Sequence, residues 1–194
     1  MCSSDLRSGY FLQPYLGQPD GGHANFTPES LREALSAGLD RGWQLMVHTN
    51  GDAAVEFALT ALEELLPQYG SNDLRHRFEH ASFTTDDQLM RMAMVGISPS
   101  FLMNHVYFWG AAFRDTILGA DRAGRLDRVA SAYAAGLRPS LHSDYDVTDI
   151  DPLLSARTAV RRTLEADGIV LNPYECVTPA QARSEEHTSE LQSH

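Results

Sequence analysis

Cysteine is scarce in this chain: Cys2 and Cys176 are the only two, too few for a disulfide scaffold. Long apolar runs are missing as well, since none approaches the roughly 18 residues that a membrane span needs. No cluster of basic residues stands out, and the formal net charge is −11. That balance argues against nucleic acid or an anionic membrane as the partner. Neither a repeat beyond the element period nor a low-complexity segment interrupts the body. What is present is an ordinary globular mixture, 43% hydrophobic and 21% charged, which excludes a disordered chain and a coiled coil. Length is limiting too. The 194 residues suffice for one domain but not for a closed eight-fold β/α barrel, which takes about 250.

The two ends read differently from the middle. Residues 183–194, beginning Arg183-Ser184-Glu185-Glu186-His187, are polar and carry no helical or strand period. They resemble the conceptual translation of a common sequencing adapter that begins agatcggaagagcacac. Residues 1–6, Met1-Cys2-Ser3-Ser4-Asp5-Leu6, resemble the translation of gtgtgctcttccgatct, with gtg read as a start codon. Those two DNA strings are reverse complements, a relation that two natural termini would rarely share. The expected division is an artefact head at 1–6, a folded body at 7–182 and an artefact tail at 183–194. The body keeps Cys176 as its cysteine and six histidines: His23, His48, His76, His80, His105 and His142.

Along the body, residues 9–26 read as a loop rich in glycine and proline. Thr27-Pro28-Glu29 predicts a helix start, with a capping threonine, proline at the first helical position and an acid in the first turn. Leu31, Leu35 and Leu39 share one face of it, and Gly42 closes it. Trp43 to His48 is a short apolar run that predicts a buried parallel strand. Ala53 to Leu66 predicts an amphipathic helix with Val55, Leu59, Leu62 and Leu66 inward. Arg77 to Ala81 predicts the next strand, and Thr84-Thr85-Asp86-Asp87 opens a helix that Gly96 stops. Ile97 to Leu102 predicts a strand in spite of Pro99. Met103 to Gly119 reads as a long aromatic loop, Asp121 to Ala135 as one helix, and Leu137 to His142 as a strand. Asp151-Pro152 begins a last helix running to about Glu165. A helix followed by four strand–helix pairs is the pattern of a parallel sheet with helical crossovers, an α/β fold.

Three of the predicted strands end in a potential metal ligand: His48, His80, and Asp144 within His142-Ser143-Asp144. In parallel α/β folds the C-terminal ends of the strands form the active face. Neutral imidazole and carboxylate suit a divalent borderline metal such as zinc. Each residue also has an ordinary reading, as a helix cap or a hydrogen-bonded loop residue. His76 starts its strand at the opposite end and reads as structural. Asp52 after Gly51 reads as a cap. Glu79 precedes His80 on a strand and so faces the other side.

These residues also carry a family resemblance. His48-Thr49-Asn50-Gly51-Asp52-Ala53-Ala54 resembles the HxxGDxA segment of amidohydrolase family 3, the YtcJ-like branch of the metal-dependent amidohydrolases. Arg75-His76-Arg77-Phe78-Glu79-His80-Ala81 resembles that family's RHRxEHA segment. Gly96-Ile97-Ser98-Pro99-Ser100 and His142-Ser143-Asp144 are similar to its later GVxPS and HSD segments. The resemblance implies a (β/α)8 TIM-type barrel of which the C-terminal half, strands five to eight with their helices, is present. It places the family's metal ligands on His48, His80 and Asp144. The family's HxH pair on strand one, its metal-bridging position on strand four and its β-sandwich domain have no counterpart in the body.

For a full-length parent the resemblance implies hydrolysis of a non-peptide C–N bond, amide or formamide in kind, by water activated on one or two divalent ions, zinc by preference. Asp144 is then the catalytic base that passes a proton to the leaving nitrogen. His105 and Trp109 of the aromatic segment are the candidates for binding substrate, and His105 also for stabilising the oxyanion. His142 is read as turned away from Asp144, in a supporting role. The implied partner is a small-molecule substrate, and the oligomeric state stays open. The fragment itself is expected to be inactive. A deaminase of the same superfamily, attacking a ring carbon, is the alternative enzyme reading. A non-catalytic half-barrel remnant is the alternative of another class.

Overall fold

A computed structural model describes residues 7–70 and 73–183. The expected boundaries at 1–6 and 183–194 therefore fall outside the described residues, except for Arg183, which is exposed. Among the described residues no helix is long and apolar enough to cross a membrane.

Four strands make one sheet, parallel throughout and ordered as in the chain. They are β1 (Met46–Asn50), β2 (Arg77–Ser82), β3 (Ser98–Leu102) and β4 (Ser140–His142). Among the described residues seven α-helices accompany them: α1 (Pro28–Leu39), α2 (Asp52–Leu65), α3 (Asp86–Val95), α4 (Asn104–Ala112), α5 (Ala120–Ala123), α6 (Val129–Ala134) and α7 (Pro152–Arg161). β1 and β4 are the open edges of the sheet.

The helix starts follow local chemistry. Thr27 and Thr85 each cap a helix, and each shares a reciprocal box with the residue three positions on, Ser30 and Gln88. Such a box satisfies two backbone donors that the first turn leaves orphaned. Asp151 caps α7 by accepting from the Leu154 N–H at 2.9 Å. Gly96 ends α3 at φ +74°, in the left-handed region that glycine enters without strain.

The core lies between the sheet and its helices. Val55, Leu59 and Leu62 of α2, Phe78 of β2, Phe101 of β3 and Met92 of α3 are all fully buried. Each such side chain contributes roughly 1.5–3 kcal/mol by leaving water. Leu65 is buried where Leu66 was expected, and Leu66 is only half-buried.

Several elements depart from the sequence expectation. β1 begins at Met46, not Trp43, because the Leu45 N–H donates to His76 Nδ1 at 3.0 Å. Trp43 stays largely exposed. β3 tolerates Pro99 because β4 pairs with β3 only from Ser100 onward. No β4 carbonyl opposite Pro99 is left waiting for its missing N–H. The aromatic segment from Met103 is α4 followed by a π turn at Phe113–Ile117, not a loop. The helix expected over 121–135 is broken into α5 and α6, with Asp127 between them at φ +46°. The break is stabilised from outside: the Arg162 guanidinium donates to the Leu126 carbonyl at 2.6 Å and the Asp127 carbonyl at 2.9 Å. The same residue, at φ +48°, ends α7 well before Glu165.

Candidate functional site

The C-terminal ends of the strands gather imidazoles. His48 lies on β1, with Glu79 of β2 as its Cα partner. In a regular strand His80 would face away from Glu79, and so away from His48. The structure breaks that alternation. His80 has φ +66° and Ala81 φ +45°. The pairing also skips a residue there, Thr49 opposing His80 and Asn50 opposing Ser82. This bulge brings the His80 ring to 4.5 Å from the His48 ring, edge to face. Non-glycine residues in the left-handed region cost about 1 kcal/mol or more each. Burial of Ala81, Ser82 and Phe83 on the following stretch holds them there. Bulges of this kind re-aim side chains at functional sites.

Around His80 the other candidates assemble. The His142 ring lies 5.1 Å from it and the His105 ring 6.0 Å, between centroids. The nearest carboxylate is Asp144, with Oδ2 4.0 Å from His80 Nε2. His142 is therefore part of the cluster and not turned away from it. Its position two residues from Asp144 is the sequence signal for that, since i and i+2 share a strand face. His142 Nε2 lies 3.2 Å from the Ser100 carbonyl. His105 is fully buried on α4, with its ring 5.5 Å from Trp109 and 6.2 Å from Phe113. Trp109, four residues on, is half-buried at the same site.

The loop carrying Asp144 is tied to α4. Asn104 Nδ2 donates to Thr148 Oγ1 at 2.8 Å, and the Thr148 hydroxyl donates to the Ser143 carbonyl at 2.5 Å. The Ser155 hydroxyl donates to Asn104 Oδ1 at 3.5 Å. One wholly buried asparagine thus couples the helix bearing His105 to the turn bearing Asp144. No feature of the sequence reading pointed to Asn104.

Burial sets the protonation. It pushes the His80 imidazole down to about 2, and the neighbouring His142, His48 and His105 rings add to the effect. His142 is pushed down to about 4, again mainly by burial, with Asp144 and the Ser100 carbonyl opposing. Both are neutral at pH 7, the state in which an imidazole offers a lone pair to a metal. His80 Nδ1 is buried without a hydrogen-bond partner. A buried polar atom left unpaired is expensive, and a metal or a substrate group would satisfy this ring. The donor set of neutral imidazoles and one carboxylate matches a zinc-type ion. Among the described residues, however, no three His, Cys, Asp or Glu are placed to hold a metal ion together.

Three neighbouring residues settle into other tasks. His76 is buried at the far end of β2 and accepts from the Leu45 N–H. Glu79 pairs with Arg77 at 2.8 Å. Asp52 is not a cap. Gly51 occupies the cap position of α2, and Asp52 is buried, accepting from the Leu12 N–H at 2.9 Å and pairing with Arg125 at 3.1 Å. Gly51 has φ +107°, and a Cβ there would sit 2.1 Å from the Tyr10 carbonyl oxygen. That carbonyl accepts from the N–H groups of Ala53 and Ala54. The glycine–aspartate pair thus clamps the loop before α1 onto the start of α2.

The chain is similar to known proteins along most of its length. A family model described as "Amidohydrolase family" matches residues 2–184. The putative amidohydrolase YtcJ of Bacillus subtilis is 29% identical over 185 residues, which is 91% of this chain and 33% of that protein. The N-substituted formamide deformylase of Arthrobacter pascens is 31% identical over 160 residues, 82% of this chain and 29% of that protein. Among solved structures, an uncharacterized metal-dependent hydrolase from Pyrococcus furiosus superposes with a TM-score of 0.75 at 25% identity, covering 91% of this chain and 35% of that one. The chain spans about a third of the length of the relatives it matches.

Proposed function

The chain belongs to the amidohydrolase family, and from that premise we propose that it is part of a metal-dependent hydrolase acting on a non-peptide carbon–nitrogen bond, amide or formamide in kind. Its four parallel strands stand for strands five to eight of a (β/α)8 barrel. The observation that carries this reading is the gathering of His48, His105, His142 and Asp144 around His80 at the strand ends. His48, His80 and Asp144 are the residues that would hold one or two divalent ions, zinc by preference. When bound, such an ion supplies Lewis acidity, polarising a carbonyl and lowering the pKa of water.

The chain's own residues supply the rest. The Asp144 side chain is 41% exposed, so water and substrate can reach it. It accepts a proton from the attacking water on a carboxylate oxygen and returns it to the leaving nitrogen. Water adds to the carbonyl carbon, the C–N bond breaks, and an acid and an amine leave. Trp109 gives the substrate an apolar wall, with His105 buried behind it. Asn104 and Thr148 hold the Asp144 turn in register with α4. Because no three ligands are gathered among the described residues, the isolated chain is expected to turn nothing over.

The test compares this chain with a longer parent containing it, on N-formyl and N-acyl amines under matched zinc. Turnover by the parent alone, lost in Asp144→Asn and in His80→Ala, is the expected result. A parent that keeps full turnover in Asp144→Asn would overturn the assignment.

A further inference from the structure

The opposite end of the sheet carries a cleft that the hydrolase reading does not use. It is about 940 Å³ in volume and opens at the beginnings of the strands. Arg77, Ser98 and Ser140, the first residues of β2, β3 and β4, line it together with Arg75 and Arg138. Three arginines face it against one acid, Asp73. This is a reversal of sign in a chain of net charge −11. Asp73 Oδ1 accepts from the Arg75 backbone N–H at 3.2 Å and keeps its charge, so the lining carries three cations and one anion. Among the described residues, the Arg75 and Arg138 guanidinium groups make no hydrogen bond or ion pair, unlike Arg77, which binds Glu79. The Arg75 backbone is held in place by the Gln44 side chain, which donates to its carbonyl.

Ser140 gives an independent pointer to a ligand. It is 7% exposed, and its hydroxyl is buried in the cleft wall without a hydrogen-bond partner. A buried hydroxyl left unpaired costs about 1–3 kcal/mol. Ser140 shares the lining of this cleft with guanidinium groups whose planar forks suit oxyanions. The geometry points to a binding site for a small, multiply charged oxyanion, of the phosphate or dicarboxylate class, held by Arg75, Arg138 and the Ser140 hydroxyl. Arg77 contributes to the field, with part of its charge offset by Glu79. The site lies a strand's length from the imidazole cluster, and it stands or falls independently of the hydrolase reading.

The experiment is calorimetric titration of the chain with inorganic pyrophosphate and, separately, with succinate, at fixed ionic strength. Saturable binding of one or both is expected, and the tighter of the two identifies the class. Arg75→Gln and Arg138→Gln should each weaken it roughly tenfold, the loss of one charge-assisted contact. Both residues are exposed, so neither change threatens the fold. Ser140→Ala should weaken it less, and Arg161→Gln, on α7 outside the cleft, should leave it unchanged. No saturation by either anion up to about 10 mM would overturn the proposal. So would equal weakening by Arg161→Gln, since that is the signature of diffuse charge.

Discussion

Two buried polar groups anchor two parts of this molecule, and they are finished to different degrees. Arg162 is fully buried, yet all three guanidinium nitrogens donate, to the carbonyls of Leu171, Asp127 and Leu126 at 2.7, 2.9 and 2.6 Å. Burial lowers its pKa, and the Asp127 and Glu175 carboxylates oppose that; a guanidinium stays charged regardless. His80 is nearly as buried, but its Nδ1 has no partner and its neighbours are other imidazoles. A buried group whose nitrogens are all bonded fixes structure, whereas one with an unpaired nitrogen is a cost that something outside the chain can relieve. Stability belongs with Arg162 and binding with His80.

The largest effect should come from removing the bonded cation. Arg162→Ala strands the buried Leu126 and Leu171 carbonyls, leaves the Asp127 carbonyl with the Val129 N–H, and removes the cation that faces Asp127 and Glu175. Removing one partner from such a network costs about 3–5 kcal/mol. Urea denaturation should show the midpoint collapsing. A loss below about 1 kcal/mol would mean that the α5–α6 break and the end of α7 hold without it.

Next in size is the response to acid, which separates the two regions without mutation. Unfolded imidazoles take a proton near 6.5, whereas in the fold His142 waits until about 4 and His80 until about 2. Below pH 6.5 the unfolded state therefore binds more protons, and stability falls as the pH falls. Each imidazole contributes up to about 1.4 kcal/mol per pH unit in that window. Above 6.5 neither adds a slope, and below about 4 only His80 still does. Denaturation midpoints at about pH 7.5, 6.5 and 5.5 should fall less steeply in His142→Phe and in His80→Phe than in the unaltered chain. Equal slopes in all three would show that the rings are not held neutral by the fold.

His80→Phe is expected to be a smaller perturbation at pH 7. Replacing an unpaired buried polar group by an apolar one of similar shape is near neutral or stabilising, within about 1 kcal/mol. In a longer parent the same change should abolish zinc binding, followed by calorimetry. A loss of stability matching that of Arg162→Ala would erase the distinction between the two groups.

How much of this was legible depends on how local each cause is. The starts of α1 and α3 were readable from Thr27-Pro28 and Thr85 with its acids, because a cap is made by residues three apart. The grouping of His48, His80 and Asp144 toward one end of the sheet followed from alternation of elements, although β1 and β2 each run two residues past the histidine expected to end them. The bulge at His80 did not, since no glycine marks it and only tertiary packing holds its left-handed backbone. Nor did α4: Val106, Phe108, Trp109 and Phe113 spread apolar surface around the helix, so it shows no amphipathic stripe. Arg162 follows Arg161 in the sequence and reads as surface charge, although only Arg161 is exposed. Two of its three carbonyl partners lie 35 and 36 residues away, beyond any local pattern.

The smallest expected effect on stability is the sharpest test of the unsaturated side. Asp144 stands 4.0 Å from a neutral ring, and its side chain is 41% exposed. It makes no ion pair worth breaking, because His80 carries no charge at pH 7. Asp144→Asn should therefore leave stability within about 0.5 kcal/mol, the range of an exposed substitution. Two other readouts should move. Asp144 is among the groups that raise the His142 pKa against burial, so its loss should drive the His142 titration lower, as NMR of the ring protons would record. In a longer parent zinc affinity should fall as well, since an amide is a poorer ligand than a carboxylate. An unchanged His142 titration would place Asp144 outside the cluster's field. A large loss of stability would show that the carboxylate is a structural partner, and that the site is more complete than its unpaired nitrogen implies.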